Sequence, residues 1–251
     1  MAQTASVPRE ARTIVKQVDS QGLVTSDRAA VPGPGAILYS DGTILIREVR
    51  ASYPHILSPY VGKNKDGTPQ TGKFGLVALM PKTKPYFPSM NVVRDEINRI
   101  MLEHKVPKNK EGKFVFKADL KFLRDGNTAG KEEYEDHFTI SASETRRPQA
   151  RDIARDPKTK KPRVLVPGVD DDVIYAGCWV HILIRPWWQD SAEWGKRVNA
   201  GLTAIQFCRD DEPFGESRIT PEDVDNTFDD FSEEGSGYDD ELGQGEDTDE
   251  L

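Results

Sequence analysis

"CWVHILIRPWW" (residues 178–188) reads as one strand with two unlike faces. Alternation puts Val180, Ile182 and Ile184 on one side and Trp179, His181, Leu183, Arg185 and Trp187 on the other. The first set is an ordinary core stripe. The second interleaves rings with cations, which a purely core-covering face does not need. A strand of this kind requires partners, and the flanks supply them. "RVNAGLTAIQFCR" (197–209) reads as the last strand, with the glycine of "NAGLT" marking a bulge. "TILIREV" (43–49) reads as the first, Ile44 and Ile46 alternating with Leu45 and Arg47. "KFGLVALM" (73–80) is apolar on both faces, as in a well-covered strand. "HFTISAS" (137–143) turns Phe138 and Ile140 inward and His137, Thr139 and Ser141 outward.

"KFVFKADLKFL" (113–123) holds one or two short strands, and the strand through Trp179 is expected to span 173–188 as the longest. One stretch has helical periodicity, "SMNVVRDEINRIMLEHK" (89–105). Val93, Ile97, Ile100 and Met101 share a face, Arg94, Asn98 and Arg99 lie largely away from it, and Ser89 is placed to cap the start. Several strands with one intervening helix predict a mainly β chain: an OB-fold-type small barrel with one amphipathic helix, long loops and disordered termini. Alternation alone does not separate that from a sandwich. The expected organisation is a flexible N-terminal arm over 1–35, ending in "VPGPG", one domain over 36–209, and a disordered acidic tail over 210–251. "ARDIARDPKTKKPRVLVPG" (150–168) reads as a loop.

Charge divides the chain in the same place. Residues 210–251 hold 18 of the 42 Asp and Glu but one of the 34 Lys and Arg, which leaves 24 acids and 33 bases for residues 1–209. The overall net charge of −8 therefore hides a basic body and a strongly acidic tail. Such asymmetry points to a polyanionic partner, or to a tail that competes with one. The tail has too few apolar groups to support a core.

Other classes find little support. No apolar run approaches the roughly 18 residues of a membrane span, and the start has no apolar signal-peptide core, so neither membrane insertion nor export is expected. Cys178 and Cys208 each lie in a strand-like run and read as small buried hydrophobes in a reducing cytosol. His55, His104, His137 and His181 are scattered, with no zinc-finger spacing to a cysteine. No cofactor and no metal is expected. "GTPQTGK" (67–73) has phosphate-loop spacing, but Phe74 stands where Ser or Thr would hold magnesium, and a strand follows instead of a helix. "GNTAGKE" (126–132) fails likewise. "EGK" (111–113), with Asp170, Asp171 and Asp172, would suit a metal-dependent nuclease, but "KEGK" (110–113) reads more simply as a hairpin turn.

The basic and aromatic residues point elsewhere. Bases of a single strand stack on rings while cations neutralise the backbone. On that logic the candidate nucleic-acid contacts are Trp179, Arg185, Trp187 and Trp188 of the odd face, with Lys196 and Arg197 beyond it. Arg146, Arg147 and Arg151 of "SETRRPQARD" join them, as do Lys63, Lys65 and Lys73 near Tyr53. The plainer alternatives are tryptophans packed in the core and a solvated basic loop.

Five segments in order carry a resemblance: "VRASYPHILSPY", "GKFGLVALMPK", "ISASETRRPQARD", "IYAGCWVHILIRPW" and "NAGLTAIQFCRDDEPFGE". The chain resembles the phage-encoded single-stranded DNA-binding proteins that join an OB-fold to an acidic C-terminal tail. The resemblance runs through most of residues 43–215 and implies sequence-independent binding of single-stranded DNA in phage replication or recombination, without catalysis. It implies action in the cytoplasm of the infected host, with phage or host replication proteins as partners of the tail, and leaves room for a homo-oligomer. The tail residues expected to matter are Phe228, Asp229, Asp230, Phe231 and Leu251; related tails often end in an aromatic residue, whereas this one ends in Leu251. Two other functions fit the charge pattern: a metal-dependent nuclease of recombination, and a protein-interaction module with a solubilising tail.

Overall fold

The computed structural model describes residues 12–63 and 67–215. Lys65 and the tail residues Phe228, Asp229, Asp230, Phe231 and Leu251 lie outside them. The strands are β1 (Ile14–Asp19), β2 (Gly22–Leu23), β3 (Gly35–Tyr39), β4 (Ile44–Tyr60) and β5 (Lys73–Pro81). The helix α1 (Phe87–Glu103) follows, then β6 (Leu123–Asp125), β7 (His137–Glu144), β8 (Gln149–Arg155) and β9 (Pro162–Val164). The chain returns through β10 (Trp179–Ser191) and β11 (Gly195–Arg209).

β4 organises the barrel because it changes partners along its length. Its first half pairs with β3 and β10, and its second half with β5. Two bulges turn it, at Glu48 opposite β10 and at Tyr53 opposite β5, and both residues adopt left-handed backbone (φ 53° and 47°). β5 continues to β7, the chain bends through 145–148, and β8 pairs in parallel with β11, which pairs with β10. This is the strand circuit of an OB-fold-type barrel, although β7 and β11 share no ladder and the sheet does not close by hydrogen bonds. Phe122 bridges that gap: its N–H donates to the Val198 carbonyl and its carbonyl accepts from Ser141, each at 2.9 Å.

The core stripe on β10 is as expected, with Val180, Ile182 and Ile184 fully buried. α1 lays Val93, Ile97, Ile100 and Met101 onto β1, β3, β10 and β11. It begins two residues earlier than the sequence suggests, with Pro88 in its first turn, and Ser89 is buried inside it and caps nothing. It ends in a Schellman turn: Lys105 is left-handed, Val106 N–H reaches the Met101 carbonyl at 2.9 Å and Lys105 N–H the Leu102 carbonyl at 3.0 Å.

Six other expectations are corrected. Residues 12–35 are no flexible arm: β1 and β2 extend the sheet from β3. Asp19 anchors them, wholly enclosed and accepting from Val31 N–H, from Gln21 N–H and from Arg28. The Val31 bond, with the Arg28 and Gln21 bonds, holds its carboxyl down to about 2. Residues 150–168 are β8 and β9, a hairpin whose alternation is masked by charge. Residues 173–178 are a turn, so β10 is shorter than both β4 and β11. Thr139 is buried rather than outward. The segment 113–123 is a bridge at Phe114 and a 3-10 turn, with strand only at its last residue, where β6 begins. The bulge in β11 falls at Thr203, two residues past Gly201, between the pairs Ile184–Leu202 and Leu183–Ala204.

The Glu48 bulge leaves a backbone N–H without a ladder partner, and His181 Nδ1 accepts it at 3.0 Å. Burial pushes the His181 pKa below its ordinary value. The unfolded chain then binds this proton more readily than the folded one, so stability is complete above about pH 6.5 and falls as pH drops through that value. The thermal midpoint should therefore fall between pH 7.5 and 5.5. His181→Asn, whose Oδ1 still accepts, should flatten that fall; an equal fall in both proteins would place the titration elsewhere.

Candidate nucleic-acid interface

β10 and β11 run on beyond the barrel as a long hairpin, and its outer half forms one wall of a groove of about 630 Å³. Ser191 and Gly195 close it with a three-residue turn, Gly195 supplying left-handed backbone (φ 67°). Trp194 sits in that turn, its N–H held by Ser191 Oγ at 2.9 Å, and its ring is 62% exposed. Trp187, across the groove wall on β10, is 45% exposed. Lys73 from β5, Lys121 and Arg124 from the Phe122 segment, and Arg197 from β11 complete the lining. Two open indoles thus face four cations in a trough with no carboxylate in its lining.

The sequence-derived candidates divide sharply. Trp187, Lys73 and Arg197 come together here. Arg146 and Arg147 lie exposed in the bend after β7, just beyond the groove's Ser143, with Arg147 over the Phe74 ring at 5.7 Å. Lys196 is exposed on the hairpin, 3.9 Å from Asp190. Arg185 shares Trp187's face of β10 but sits two residues inward, 3.5 Å from Asp41. Arg151 turns back on its own strand, bonding the Ala150 carbonyl and Gln149. Lys63 lies early in the loop between β4 and β5, exposed and bridged to Pro69.

Three aromatic candidates lie away from the trough. Trp179 is 9% exposed, and its indole N–H donates to the Asp211 carboxylate at 2.5 Å while Arg209 lies over the ring at 4.2 Å. The chain after β11, which composition assigned to the tail, is what covers it. Residues 210–215 fold back as a strap: Arg50 donates to the Glu212 carbonyl at 2.7 Å and lies 4.3 Å over Phe214, and Phe214 N–H reaches the Ala176 carbonyl at 2.9 Å. Gly177 (φ 111°) permits this, since a Cβ there would lie 2.4 Å from the Glu212 carbonyl oxygen. Trp188 points to the core side and stacks on His104 at the end of α1, with centroids 4.8 Å apart. Tyr53 lines a separate hollow beside the strap, where Lys131 bonds its hydroxyl at 2.7 Å.

Sequence reasoning missed Trp194, Lys121 and Arg124. For Trp194 the signal was present: "SAEWGKR" places a ring beside a turn glycine and two cations between two strands. Elsewhere the chemistry is inert. Burial pushes the Cys178 thiol up to about 11, Asp170 is tied to Arg163 at 2.7 Å, and "KEGK" is a hairpin turn in which Asn109 and Lys113 pair at 2.8 Å. Among the described residues no three His, Cys, Asp or Glu converge as a metal site needs, and no helix is long and apolar enough to cross a membrane.

An OB-type barrel carrying an open trough of exposed indoles and cations defines a single-stranded nucleic-acid-binding protein. The chain belongs to the family described as "Enterobacter phage Enc34, ssDNA-binding protein", whose sequence model matches residues 42–236. It is a binding family, in accord with the expectation that the chain is not an enzyme. Solved structures agree. The single-stranded DNA-binding protein from bacteriophage Enc34 in complex with ssDNA is 32% identical, with a TM-score of 0.59 over 74% of this chain and 97% of that one. A second structure of the single-stranded DNA-binding protein from bacteriophage Enc34 is 30% identical, with a TM-score of 0.58 over 83% and 98% of the two chains. Its C-terminal truncation is 31% identical, with a TM-score of 0.58 over 74% and 97%. No curated protein matches the chain.

Proposed function

We propose that the chain coats single-stranded DNA without sequence preference in the cytoplasm of an infected bacterium, during phage replication or recombination. The observation that supports this most is the trough in which Trp187 and Trp194 stand open among Lys73, Lys121, Arg124 and Arg197. Bases stack on the indoles, and stacking tolerates any base because each has a π-face. The cations follow the phosphates and release counterions. A solved family member in complex with ssDNA is consistent with this ligand. Titration with an oligothymidylate, against duplex of equal length, tests it. Preference for the single strand with quenching of tryptophan fluorescence is the expected result; equal affinity for duplex contradicts it.

The acidic tail acts in the same reading as a tethered competitor. Residues 216–251 hold 15 acids and one base. Tethering gives them an effective concentration on the order of millimolar, so weak contacts suffice to occupy cationic surface until DNA displaces them. The freed tail then serves replication proteins with basic pockets. Deleting residues 216–251 should tighten oligothymidylate binding severalfold at low salt. The gain should shrink as salt rises, since the Debye length is about 10 Å at 0.1 M. Equal affinities at low salt would leave the tail as a partner hook or solubiliser.

A further inference from the structure

Lys121 stands where three depressions meet. It borders the tryptophan trough, a hollow of about 340 Å³ shared with Arg94 and Arg124, and another of about 520 Å³ beside Lys108 and Lys113. Its side chain is half-buried, and among the described residues no carboxylate or hydrogen bond holds its ammonium. Burial and the Arg94 charge both push its pKa below the ordinary lysine value. Asp125, the one acid lining these hollows, is engaged with Lys82, and Asp119, two residues from Lys121, makes no ion pair with it. Residues 105–124 carry seven Lys and Arg against two acids. A partly desolvated cation without a counter-anion lowers stability, so its position calls for an anion supplied from outside.

We propose that Lys121, with Arg94 and Arg124, forms a phosphate-binding node that carries single-stranded DNA out of the tryptophan trough and along α1 toward Lys108 and Lys113. The inference deepens the function proposed above and rests on it. The node is rigid by construction. Phe122 is locked between β7 and β11 by its two backbone bonds, and Arg124 Nε donates to the Lys121 carbonyl at 2.9 Å. The backbone that presents Lys121 and Arg124 is therefore in place before a DNA strand arrives. The repulsion between Lys121 and Arg94 is relieved when a phosphate sits between them.

Two variants of the full chain test the node. A short oligothymidylate of about four nucleotides should fill the trough alone, and one of about sixteen should cross the node. The triple variant Arg94→Gln, Lys108→Gln, Lys113→Gln should bind the short strand as the parent does. It should bind the long strand about tenfold more weakly, with the salt slope reduced by about 0.7 per lost contact. Lys121→Met keeps the stem and removes the charge, so its melting temperature should rise while long-strand affinity and slope fall. Unchanged long-strand affinity and slope in both variants would overturn the node. So would a lower melting temperature for Lys121→Met with binding intact. Failure of the trough itself looks different: the short strand would then bind the Trp187→Ala, Trp194→Ala variant normally.

Discussion

Replacing Trp187 and Trp194 together by alanine should weaken oligothymidylate binding by about thirtyfold or more. Each base–ring stack is worth roughly 1–3 kcal/mol by alanine substitution, and a loss of about 1.4 kcal/mol is tenfold in affinity. Both rings are largely open, at 45% and 62% exposure, so little folding free energy depends on them. The barrel should survive, because Val180, Ile182 and Ile184 on the inner face are untouched. The chain has four tryptophans, and the other two, Trp179 and Trp188, are covered by the strap and by His104. DNA should therefore quench the parent's fluorescence and leave that of the double variant nearly unchanged. Quenching that persists at parental amplitude would mean that neither exposed indole meets a base.

Trp179→Ala should act on the fold instead. Truncating a buried tryptophan costs about 3–5 kcal/mol, a large part of the roughly 5–15 kcal/mol that stabilises a domain. For a domain of this size that is a drop of about 6–20 °C in melting temperature. The same change removes the donor that holds Asp211 and loosens the strap over residues 210–215. Trp179→Phe, which keeps the apolar contacts and loses only that bond, should lose far less. Affinity measured well below the melting temperature should stay within about threefold of the parent. A protein that melts as the parent does but binds DNA tenfold more weakly would return Trp179 to the interface.

These two tryptophans show what alternation can and cannot tell. The period of two put Trp179 and Trp187 on one face of β10, and they are on one face. It carries no information on what covers that face. At the Trp179 end the strap returns over the ring; at the Trp187 end the hairpin projects past the barrel and the ring stays open. Strands with clean apolar stripes, such as 43–49 and 73–80, were legible, and so was the helix. β1 and β8 were not. Their alternation is written in Lys, Gln, Asp and Arg, and they are held by edge pairing and by single polar anchors such as Asp19 with Arg28. Trp194 lies in a turn, and Lys121 and Arg124 lie beside and in the three-residue strand β6, too short to show a period, so only the tertiary arrangement brings them to the trough.

The central claim is that the trough is where DNA lies. Ultraviolet cross-linking of the full chain to an oligothymidylate, with the adducts mapped by mass spectrometry, tests it directly. Adducts should fall on the peptides that carry Trp187 and Trp194, and on the segment from Leu120 to Arg124. Adducts confined to Tyr53 and Phe214 beside the strap, or to the hairpin of β8 and β9, would contradict it.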